Sequence, residues 1–347
     1  MPRRRHRVTD IAAQAGLSRA TVDRVLHGRE GVRPETVAQV ERAIAELDRQ
    51  QGQVLLSTRA VLLDLVMQAP DRFASQSRAA LETELAAMRP AVLRVRSHLA
   101  ERSDPQAAAQ ALAKIARRGS DGVILKAPDH PLVVAAVARL AEADIPVVTF
   151  VTDLTDSRRV AYAGVDNRAA GATAAYLVTR MSRGRGTVLV TTSSSFFLGE
   201  EEREAGFRST LADLAPGRPV VTITDTDGLD ATLLGAVADA LDAHPDLDAV
   251  YSPGGGNAAT FAAFDAAGRR PSVYVAHDLD ADNRRLLRGG RLSAVLHHDL
   301  RADLRRASRL LLQARGVLPG SPVSLPSAVQ VVTPYNEPPG LLGSGTA

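Results

Sequence analysis

The feature that most constrains the fold is a repeated alternation, from residue 60 onward, of short apolar runs with alanine- and leucine-rich helical stretches. The apolar runs have the length of strands and read AVLLDLVM, GVILKA, IPVVTFV, VAYAGV, TVLVTT, PVVTIT, AVYSP, SVYVAH and LSAVLHH. Helical patterns lie between them at 130–143, 167–182, 200–214 and 230–243. Buried runs separated by helices indicate parallel sheets built from strand–helix–strand units.

The number of these units favours two doubly wound lobes over one very wide sheet. A barrel of eight strands and eight helices has the same alternation, and periodicity alone does not exclude it. Residues 8–47 differ, because they carry only helical periodicity. The predicted fold class is therefore α/β, with a small all-α region followed by two doubly wound parallel-sheet lobes.

The composition of the 347-residue chain is that of a soluble globular protein, with 45% hydrophobic and 23% charged residues. The chain has no cysteine, which excludes disulfides and thiolate metal sites and fits a reducing compartment. The basic start MPRRRHR is followed by TDIAAQAGLSRA, which has no apolar signal-peptide core. The run AVLLDLVM is too short to span a bilayer. We therefore expect a cytoplasmic protein without a membrane partner.

Positive charge is concentrated at one end of the chain. Residues 1–33 contain eight arginines against three acidic residues, whereas the remainder carries a net charge of −2 within a total of +3. Such an end could bind a polyanion, although a solvated basic tail has the same composition. Charge alone leaves both interpretations open.

The stretch AAQAGLSRATVDRVL, inside this basic end, has the spacing of two helices packed at a sharp angle. Ala12 is small enough for the two backbones to approach, and Gly16 tolerates the positive φ of the turn. Val22 fills the space between the helices, and Ser18 can cap the second one. These residues predict a helix-turn-helix whose second helix, 19–27, lies in the major groove of DNA.

Three outward positions of this second helix carry the chemistry of base recognition. Arg19 and Arg24 can pair bidentately with guanine, and Ala20 can contact the methyl group of thymine. Thr21 and the N-terminal arginines are expected to hold phosphates, which position the protein without specifying sequence. The full predicted DNA-binding set is Arg5, Arg7, Ser18, Arg19, Ala20, Thr21, Arg24, His27 and Arg33.

A third helix is predicted to begin at Pro34, because the first helical position does not need an N–H. Its apolar stripe is formed by Val37, Val40, Ile44 and Leu47. The polar stretch DRQQGQ that follows has no period, which predicts a linker.

A close resemblance to the DNA-binding head of LacI/GalR-type transcriptional regulators is carried by DIAAQAGLSRATVDRVLHGREGVRPETVAQVERAIAELD. Four later segments resemble the family's effector domain, which is similar to type I sugar-binding periplasmic proteins. These segments are PVVTFVTD, AYAGVDNRAAGATAAYL, GEEEREAGF and YVAHDLDADNRRLLRGGRLSAVLHHDL. The resemblance implies a homodimer that represses transcription from a pseudo-palindromic double-stranded DNA operator. It also implies a small sugar or polyol effector between the lobes, no enzyme activity and no cofactor.

The predicted domains follow from the periodicity and the resemblance together. They are a head at 1–48, a linker at 49–59, an effector domain at 60–337 and a flexible tail at 338–347. Lobe 1 is expected at about 60–164 and 299–322, and lobe 2 at about 165–298 and 323–337.

The chain departs from the family pattern at two places. Asp23 stands where the family usually has a serine that contacts phosphate, and a carboxylate there would repel DNA. The family's hinge helix, a Pro-Asn step followed by an Ala-x-x-Leu pattern, is absent from DRQQGQVLLSTR. We therefore expect the effector to act on DNA binding through dimer geometry alone.

Ligands of open α/β sheets bind beyond the carboxyl ends of the strands, and this rule nominates the residues that follow each apolar run. They are Asp71, Arg72, Phe73, Lys126, Asp129, Thr152, Asp153, Asp166, Asn167, Ser193–Ser195, Asp225, Gly254–Asn257, His277, Asp278 and His298. Most of these side chains are charged or hydroxylic, as a polyhydroxylated ligand requires.

The resemblance narrows this set. Arg203 matches the family's arginine that binds effector hydroxyls, Asp278 matches a carboxylate that accepts two hydroxyls, and His298 stands where glutamine is usual. Val151 occupies a position often held by aspartate, which moves one expected contact to Asp153. The predicted effector-binding set is Phe73, Asp153, Asp166, Asn167, Arg203, Asn257, Asp278 and His298. The effector's charge stays open, because the set contains both cationic and carboxylate side chains.

Alternative chemistries have weaker patterns. The GGGN turn at 254–257 lacks the spacing of a P-loop or a dinucleotide fingerprint. Only one of His297 and His298 can face a cleft, because adjacent strand residues point to opposite faces, so HHD is a poor metal site. No Gly-x-Ser-x-Gly elbow surrounds the serines at 193–195. We predict no catalytic residue and no metal; a sugar-binding protein or sugar-converting enzyme with a non-specific nucleic-acid-binding N-terminus is the alternative.

Overall fold

The computed structural model describes residues 6–29, 31–58, 60–87, 92–193, 196–227 and 229–338. Its helices are α1 (Val8–Ala15), α2 (Arg19–Leu26), α3 (Pro34–Thr58), α4 (Asp71–Ala87), α5 (Pro105–Arg118), α6 (Pro131–Glu142), α7 (Asn167–Met181), α8 (Leu198–Leu214), α9 (Asp230–Ala243), α10 (Asn257–Ala266), α11 (Ala281–Arg288) and α12 (Leu300–Ala314). Its strands are β1 (Val61–Gln68), β2 (Leu93–Ala100), β3 (Gly122–Lys126), β4 (Val147–Phe150), β5 (Ala161–Ala163), β6 (Val188–Thr191), β7 (Val220–Ile223), β8 (Ala249–Ser252), β9 (Val273–His277), β10 (Ala294–His297) and β11 (Gln330–Val332).

The first three helices form a separate small core. Ala12 and Val22 are buried between α1 and α2, and Val40 of α3 packs against them. Gly16 ends α1 with a φ of 63°, the left-handed conformation that the turn requires. The Ser18 side chain accepts a hydrogen bond from the Thr21 N–H at 3.1 Å, so it caps α2. The helix-turn-helix prediction is confirmed.

The third helix is longer than the sequence analysis predicts. α3 is continuous from Pro34 to Thr58 and so includes the predicted linker at 49–58. The predicted linker is thus helical over 49–58. The segment contains no proline, most of its residues are good helix formers, and a single glycine costs only about 1 kcal/mol.

Lobe 1 is built on a five-stranded parallel sheet with the order β2-β1-β3-β4-β5. Helices α4 and α12 pack on one face of this sheet, and α5 and α6 pack on the other. Strand β2 is absent from the sequence prediction, because it lies at the sheet edge and alternates arginine, serine and histidine with apolar residues. Its Arg96 and His98 pair with Asp64, a buried carboxylate of β1.

Lobe 2 is built on a six-stranded sheet with the order β11-β10-β9-β8-β6-β7. All neighbouring strands are parallel except β11, which pairs antiparallel with β10 at the edge. Helices α7 and α8 share one core with this sheet, and α9, α10 and α11 share the other. Two separate open sheets, rather than one closed barrel, confirm the doubly wound α/β prediction and exclude the eight-stranded alternative.

The chain passes between the lobes three times among the described residues. It crosses after β5, after β10 and again between α12 and β11. The first and third crossings are joined by a parallel bridge between Val165 and Ser327. The second crossing is only two residues long, His298 and Asp299. The carboxyl ends of both parallel sheets therefore face each other across a hinge. No described helix combines the length and apolar character needed to cross a membrane.

Helices α7 and α8 cross at unusually close range because each presents a glycine at the contact. A Cβ added to Gly171 of α7 would lie 1.9 Å from the carbonyl oxygen of Arg203 on α8. A Cβ added to Gly206 of α8 would lie 2.1 Å from the carbonyl oxygen of Arg168. The close crossing therefore fixes the position of α8 relative to α7, and with it the position of Arg203.

Gly171→Ala is expected to lower the free energy of unfolding by about 1–3 kcal/mol, because the added methyl group forces the two helix backbones apart. Urea unfolding followed by circular dichroism measures this change. Gly235→Ala in α9 is the matched control, since no described atom lies within 4 Å of its added Cβ. That control should raise the free energy of unfolding by about 0.5–1 kcal/mol. Equal effects of the two substitutions would contradict the close crossing.

Candidate functional site

The exposed face of α2 carries the predicted base-reading residues as one stripe. At about 100° per residue, Ala20, Arg24 and His27 fall on the same side of the helix. Val22 lies on the opposite side and is buried in the core of the head. Arg19, Ala20, Arg24 and His27 are all exposed. None of these exposed residues belongs to the core of the head.

The remaining predicted DNA-binding residues surround this stripe. Arg7 and Arg33 are exposed, and Thr21 is half-buried. Ser18 and Thr21 share a side-chain hydrogen bond of 2.8 Å in addition to the cap, so their hydroxyl groups are already oriented by the turn. Arg5 lies outside the described residues. The described members of the set are thus exposed or half-buried, and none lies in the core of the head.

Asp23, the departure expected to repel DNA, lies beside the side chains of His27 and Arg29. Its carboxylate is 3.1 Å from the His27 ring and 3.8 Å from the guanidinium of Arg29. Exposed ion pairs contribute little to stability, but they reduce the local negative charge that a phosphate would meet. The carboxylate is therefore partly compensated within the head.

A cleft of about 740 Å³, counting the space open to solvent, lies between the two lobes. Its lobe 1 wall contains Gln68, Ala69, Pro70, Arg72, Phe73, Glu101, Ser103, Lys126, Val151 and Thr152. Its lobe 2 wall contains Ser193, Phe197, Gly199, Glu200, Arg203, Asp227, Pro253, Gly254, Gly255, His277, Asp278, Asp280 and Asn283. Three of the predicted effector-binding residues, Phe73, Arg203 and Asp278, line it.

Arg203 is the most deeply buried cation of the cleft, at 3% exposure. Its Nε donates to the Asn167 side chain at 2.8 Å, and its Nη1 donates to the Pro253 carbonyl at 3.3 Å. Its buried Nη2 has no acceptor among the described residues. An unsatisfied buried donor costs about 1–3 kcal/mol, which an acceptor on a bound molecule would recover.

Asp278 presents a carboxylate to the same cleft. Its residue has a φ of 64°, a conformation that aspartate tolerates better than most residues. Burial alone would raise the pKa of Asp278, but the adjacent His298 outweighs burial and holds this pKa well below its usual range. The His298 Nε2 atom is 3.2 Å from the Asp278 carboxylate. Asp278 is therefore an ionised acceptor at neutral pH.

His298 does not line the cleft but lies behind Asp278, with 2% exposure. Its Nδ1 atom is hydrogen-bonded to the Asp303 carboxylate at 2.8 Å. Burial lowers the pKa of His298, but the two carboxylates more than compensate and raise it to about 9. His298 contacts the cleft residue rather than the cleft.

Two other predicted residues are held away from the cleft wall by protein partners. The Asp153 carboxylate binds Arg159 and the Thr149 hydroxyl. Asp166 caps α7 by accepting from the Ala169 N–H at 2.9 Å. These partners lie within six residues of each carboxylate, but the strand-end rule does not show which neighbouring groups fold back to bind it.

Asn257 and Asn167 also contact other side chains rather than the cleft. Asn257 donates to Asn283 at 2.7 Å and accepts from the Tyr274 hydroxyl at 2.8 Å. Asn167 accepts from Arg203 and donates to the Val151 carbonyl at 3.2 Å. Asn167 thus orients the cleft arginine, whereas Asn257 packs inside lobe 2.

Lys126 and Glu200 are two charged cleft residues outside the predicted effector-binding set. Lys126 ends β3, donates to the Gln68 carbonyl at 2.9 Å and lies 3.8 Å from the centre of the Phe197 ring. Glu200 accepts from both the N–H and the hydroxyl of Ser193. The strand-end rule did nominate Lys126. Glu200 precedes Arg203 by three residues, so helical spacing alone could have placed it on the same face of α8.

Burial changes the ionisation of both side chains. It lowers the pKa of Lys126 to about 8, although the nearby Glu200 opposes this shift. It raises the pKa of Glu200 above its usual value, although the hydrogen bond from Ser193 opposes this shift. The cleft therefore holds a cation and an anion that each gain from the presence of the other.

Polar contacts between the lobes hold the cleft closed. Arg72 of lobe 1 is 3.2 Å from the Asp280 carboxylate of lobe 2. The Ser103 N–H donates to Asp227 at 3.2 Å on the other side of the cleft. A ligand must therefore separate these partners to enter or leave.

The cleft does not have the arrangement of a hydrolase or a metal site. His277 is hydrogen-bonded to the Tyr251 hydroxyl at 2.9 Å, and burial lowers the pKa of His277 well below its usual value. The Ser193 hydroxyl donates to Glu200, whereas Ser194 and Ser195 lie outside the described residues. Within the described ranges, no group of three or more His, Asp or Glu side chains is arranged to hold a metal ion.

Two family models match this chain. Residues 7–49 match the model of bacterial regulatory proteins of the lacI family, and residues 65–314 match the model of the periplasmic binding protein domain. Neither of these is an enzyme family. No curated protein matches the chain.

Solved structures of binding proteins have the same fold as the two lobes. GanP, a glucose-galactose binding protein from Geobacillus stearothermophilus, is 21% identical, with a TM-score of 0.72 over 81% of this chain and 100% of that one. An ABC transporter solute binding protein from Burkholderia graminis C4D1M, in complex with D-arabinose, is 23% identical, with a TM-score of 0.73 over 80% and 96%. One from Agrobacterium vitis with bound D-fucose is 20% identical, with a TM-score of 0.70 over 81% and 98%.

Lys126→Met is expected to leave the free energy of unfolding at pH 7 unchanged or higher, because methionine fills the same space without a charge to desolvate. The pKa of Lys126 in the folded protein, about 8, is below its ordinary value, so folding disfavours the charged amine at pH 7. This penalty disappears as the pH rises past about 10, where the unfolded chain also loses the proton. Urea unfolding at pH 7 and pH 10.5 measures both effects.

The only other lysine of the sequence, Lys114, is exposed on α5 and provides the control. Lys114→Met should change the free energy of unfolding by less than about 0.5 kcal/mol at either pH. A loss of more than about 1 kcal/mol in Lys126→Met at pH 7, absent from Lys114→Met, would contradict a net cost for the buried amine.

Proposed function

Since the chain belongs to the lacI-type regulators that carry a periplasmic binding protein domain, we propose that it is a transcriptional repressor whose operator binding is controlled by a small effector in the cleft. The effector that fits the cleft best is an uncharged, polyhydroxylated molecule such as a sugar or polyol. The repressor acts as a homodimer on a pseudo-palindromic double-stranded operator, since two heads related by a two-fold axis contact two half-sites.

The observation that carries the proposal is the presence of two complementary surfaces on one chain. The head exposes the stripe of Ala20, Arg24 and His27, with Arg19 beside it, at a helix that Ser18 caps. The cleft is lined by Arg203, whose buried Nη2 has no partner among the described residues, and by the Asp278 carboxylate. A transport protein or an enzyme has no use for the first surface.

Hydroxyl groups match the cleft because each can donate and accept at once. Arg203 supplies a donor and Asp278 supplies an ionised acceptor on the same wall. Phe73 and Phe197 supply apolar surface for the C–H faces of a ring. This mixture of a few polar groups and aromatic walls is typical of small-molecule sites.

The charges of the cleft favour a neutral effector over a sugar acid or a phosphate. Arg72 is already paired with Asp280, and Lys126 is balanced by Glu200. Arg203 retains a buried donor without a partner among the described residues, and Asp278 lies on the same wall with a negative charge. A negatively charged group on the ligand would therefore meet more carboxylates than unpaired cationic side chains in the cleft.

The continuous helix α3 supports a mechanical connection between effector and DNA. It leads from the core of the head to Thr58, and β1 of lobe 1 begins at Val61. A change in the angle between lobes can therefore change the separation of two heads in a dimer. The effector controls DNA only to the extent that it binds one lobe arrangement more tightly than the other.

Selection of bound genomic fragments by the purified protein is expected to yield a recurrent pseudo-palindrome. Arg24→Ala should weaken binding to that site by about 1–3 kcal/mol and relax the preference at one base pair of each half-site. Electrophoretic mobility shift at several salt concentrations measures both. Arg117→Ala, an exposed arginine of α5 far along the chain, is the control and should bind as the wild type does. Salt-sensitive binding with no shared sequence would contradict the proposal.

Calorimetric titration with D-arabinose, D-fucose, D-allose and D-galactose, and with D-galacturonate as the charged comparison, tests the effector site. A neutral sugar should bind, and Arg203→Gln should raise its Kd at least about tenfold, which is about 1.4 kcal/mol. Arg208→Gln on the same helix is the matched control, because Arg208 is an exposed partner of Glu204. Asp278→Asn provides a second variant that keeps the side-chain volume. Tighter binding of D-galacturonate than of every neutral sugar would overturn the uncharged effector.

A further inference from the structure

His298 occupies a special place in the fold, because it is one of the two residues that form the second crossing between the lobes. It follows β10 of lobe 2, and α12, which packs in the core of lobe 1, begins two residues later. Its imidazole is buried at 2% exposure. A side chain at this point contacts both lobes without lining the cleft.

The two ring nitrogens of His298 face carboxylates that belong to different lobes. Nδ1 is 2.8 Å from Asp303, which lies in the first turn of α12 and is 1% exposed. Nε2 is 3.2 Å from Asp278, which follows β9 and lines the cleft. Asp303, His298 and Asp278 thus form a continuous chain from lobe 1 through the hinge to the cleft, called here the hinge triad.

The other ionisable groups around the hinge triad do not replace the protonated His298 ring as the cation between the two carboxylates. The ring centre of His297 is 6.2 Å from that of His298, and the pKa of His297 is lowered to about 4 by burial, so His297 is neutral. His277 is neutral for the same reason and is occupied by Tyr251. Arg203 acts on Asp278 at longer range and has no contact with Asp303 among the described interactions. The remaining close ring is the apolar Phe150, at 6.5 Å.

The chemistry of imidazole makes this arrangement depend on one proton. The protonated ring has two N–H donors, one for each carboxylate. In this structure Nδ1 is hydrogen-bonded to Asp303, whereas Nε2 lies 3.2 Å from Asp278 as an ion-pair contact without a hydrogen bond. The neutral ring has one N–H and one lone pair, so either the buried Asp303 or the half-buried Asp278 would face a lone pair, which is unfavourable for a carboxylate held there.

We propose that His298 and Asp303 are positioning residues, and that the protonated imidazole of His298 holds the cleft carboxylate of Asp278 against lobe 1 so that the lobes close only while His298 carries its proton. The proposal deepens the regulator function and rests on it for its biological meaning. Its physical content concerns lobe closure alone. Effector affinity would follow the same proton, because Asp278 is the acceptor that the closed cleft presents.

The sign of the pH dependence follows from the direction of the shift. The pKa of His298 in the closed form is raised to about 9, above its ordinary value of 6.5. Closure is therefore fully favoured below about pH 6.5 and loses this contribution as the pH rises through about 9. Acid has no opposing effect near neutrality, because the pKa of Asp278 lies well below its usual range.

The first experiment measures the side-chain ¹⁵N shifts of His298 in the full-length protein, without sugar or DNA. Both ring nitrogens should be protonated at pH 7.5, and they should titrate with an apparent pKa near 9. Asp303→Asn should lower that pKa, and His298→Gln assigns the signal among the eight histidines of the sequence. A neutral His298 ring at pH 7.5 would overturn the proposal, and this result does not require any variant to fold.

The second experiment measures the distance between the lobes. Ala107 and Ala231 are exposed and lie four residues beyond Ser103 and Asp227, which meet across the cleft. The sequence has no cysteine, so a double cysteine variant at these positions takes spin labels only there. Labelled protein diluted with unlabelled protein gives the distance within one chain by pulsed electron paramagnetic resonance.

The distance between the labels should be short at pH 7 and should lengthen between pH 8 and pH 10. His298→Gln should abolish this transition, whereas His297→Gln, the matched control one residue away, should keep it. An unchanged wild-type distance from pH 7 to pH 10, or the same midpoint in His298→Gln, would overturn the proposal. Both experiments omit sugar and DNA, so their outcome is independent of the fragment selection and the sugar titrations.

Discussion

The hydrogen bond between Arg203 and Asn167 connects the cleft, the hinge and the packing of lobe 2. Asn167 opens α7 and accepts from the Arg203 guanidinium, while its amide donates to the Val151 carbonyl of lobe 1. The backbone of α8 can bring Arg203 to this position only because Gly171 has no side chain at the helix crossing. One contact thus aims a cation into the cleft and ties the first lobe crossing to the second lobe.

The cleft keeps ionised groups in a place where burial penalises charge. Lys126 and Glu200 have pKa values shifted by burial in the directions that disfavour their charged forms, and each is partly stabilised by the other. Arg203 retains a donor without a partner among the described residues. Such groups lower the stability of the empty protein and become favourable when a polar ligand completes their hydrogen bonds. The site is therefore selected for binding rather than for stability.

Much of the fold and part of the site could be predicted from the sequence. The apolar runs of the parallel strands are buried on both faces and form continuous hydrophobic segments, so their alternation with helices was readable. Edge strand β2 was not readable, because Arg96 and His98 become compatible with a sheet only when Asp64 of the neighbouring strand pairs with them. The helical continuation of α3 was equally hidden, since its polar residues carry no period.

The sequence by itself determined the helix-turn-helix, the two doubly wound lobes and the cleft position of Asp278, because these depend on local spacing and on the ends of buried strands. The cleft position of Arg203 was predicted from the family resemblance. Only the tertiary structure decided which polar side chains remain available. Asp153 is taken by Arg159, and His298 is placed behind the cleft by Asp303 of the other lobe. The physical reason is that a strand end fixes where a side chain begins, whereas the partner that binds it depends on how the following loop or helix folds back, even when that partner is only five or six residues away.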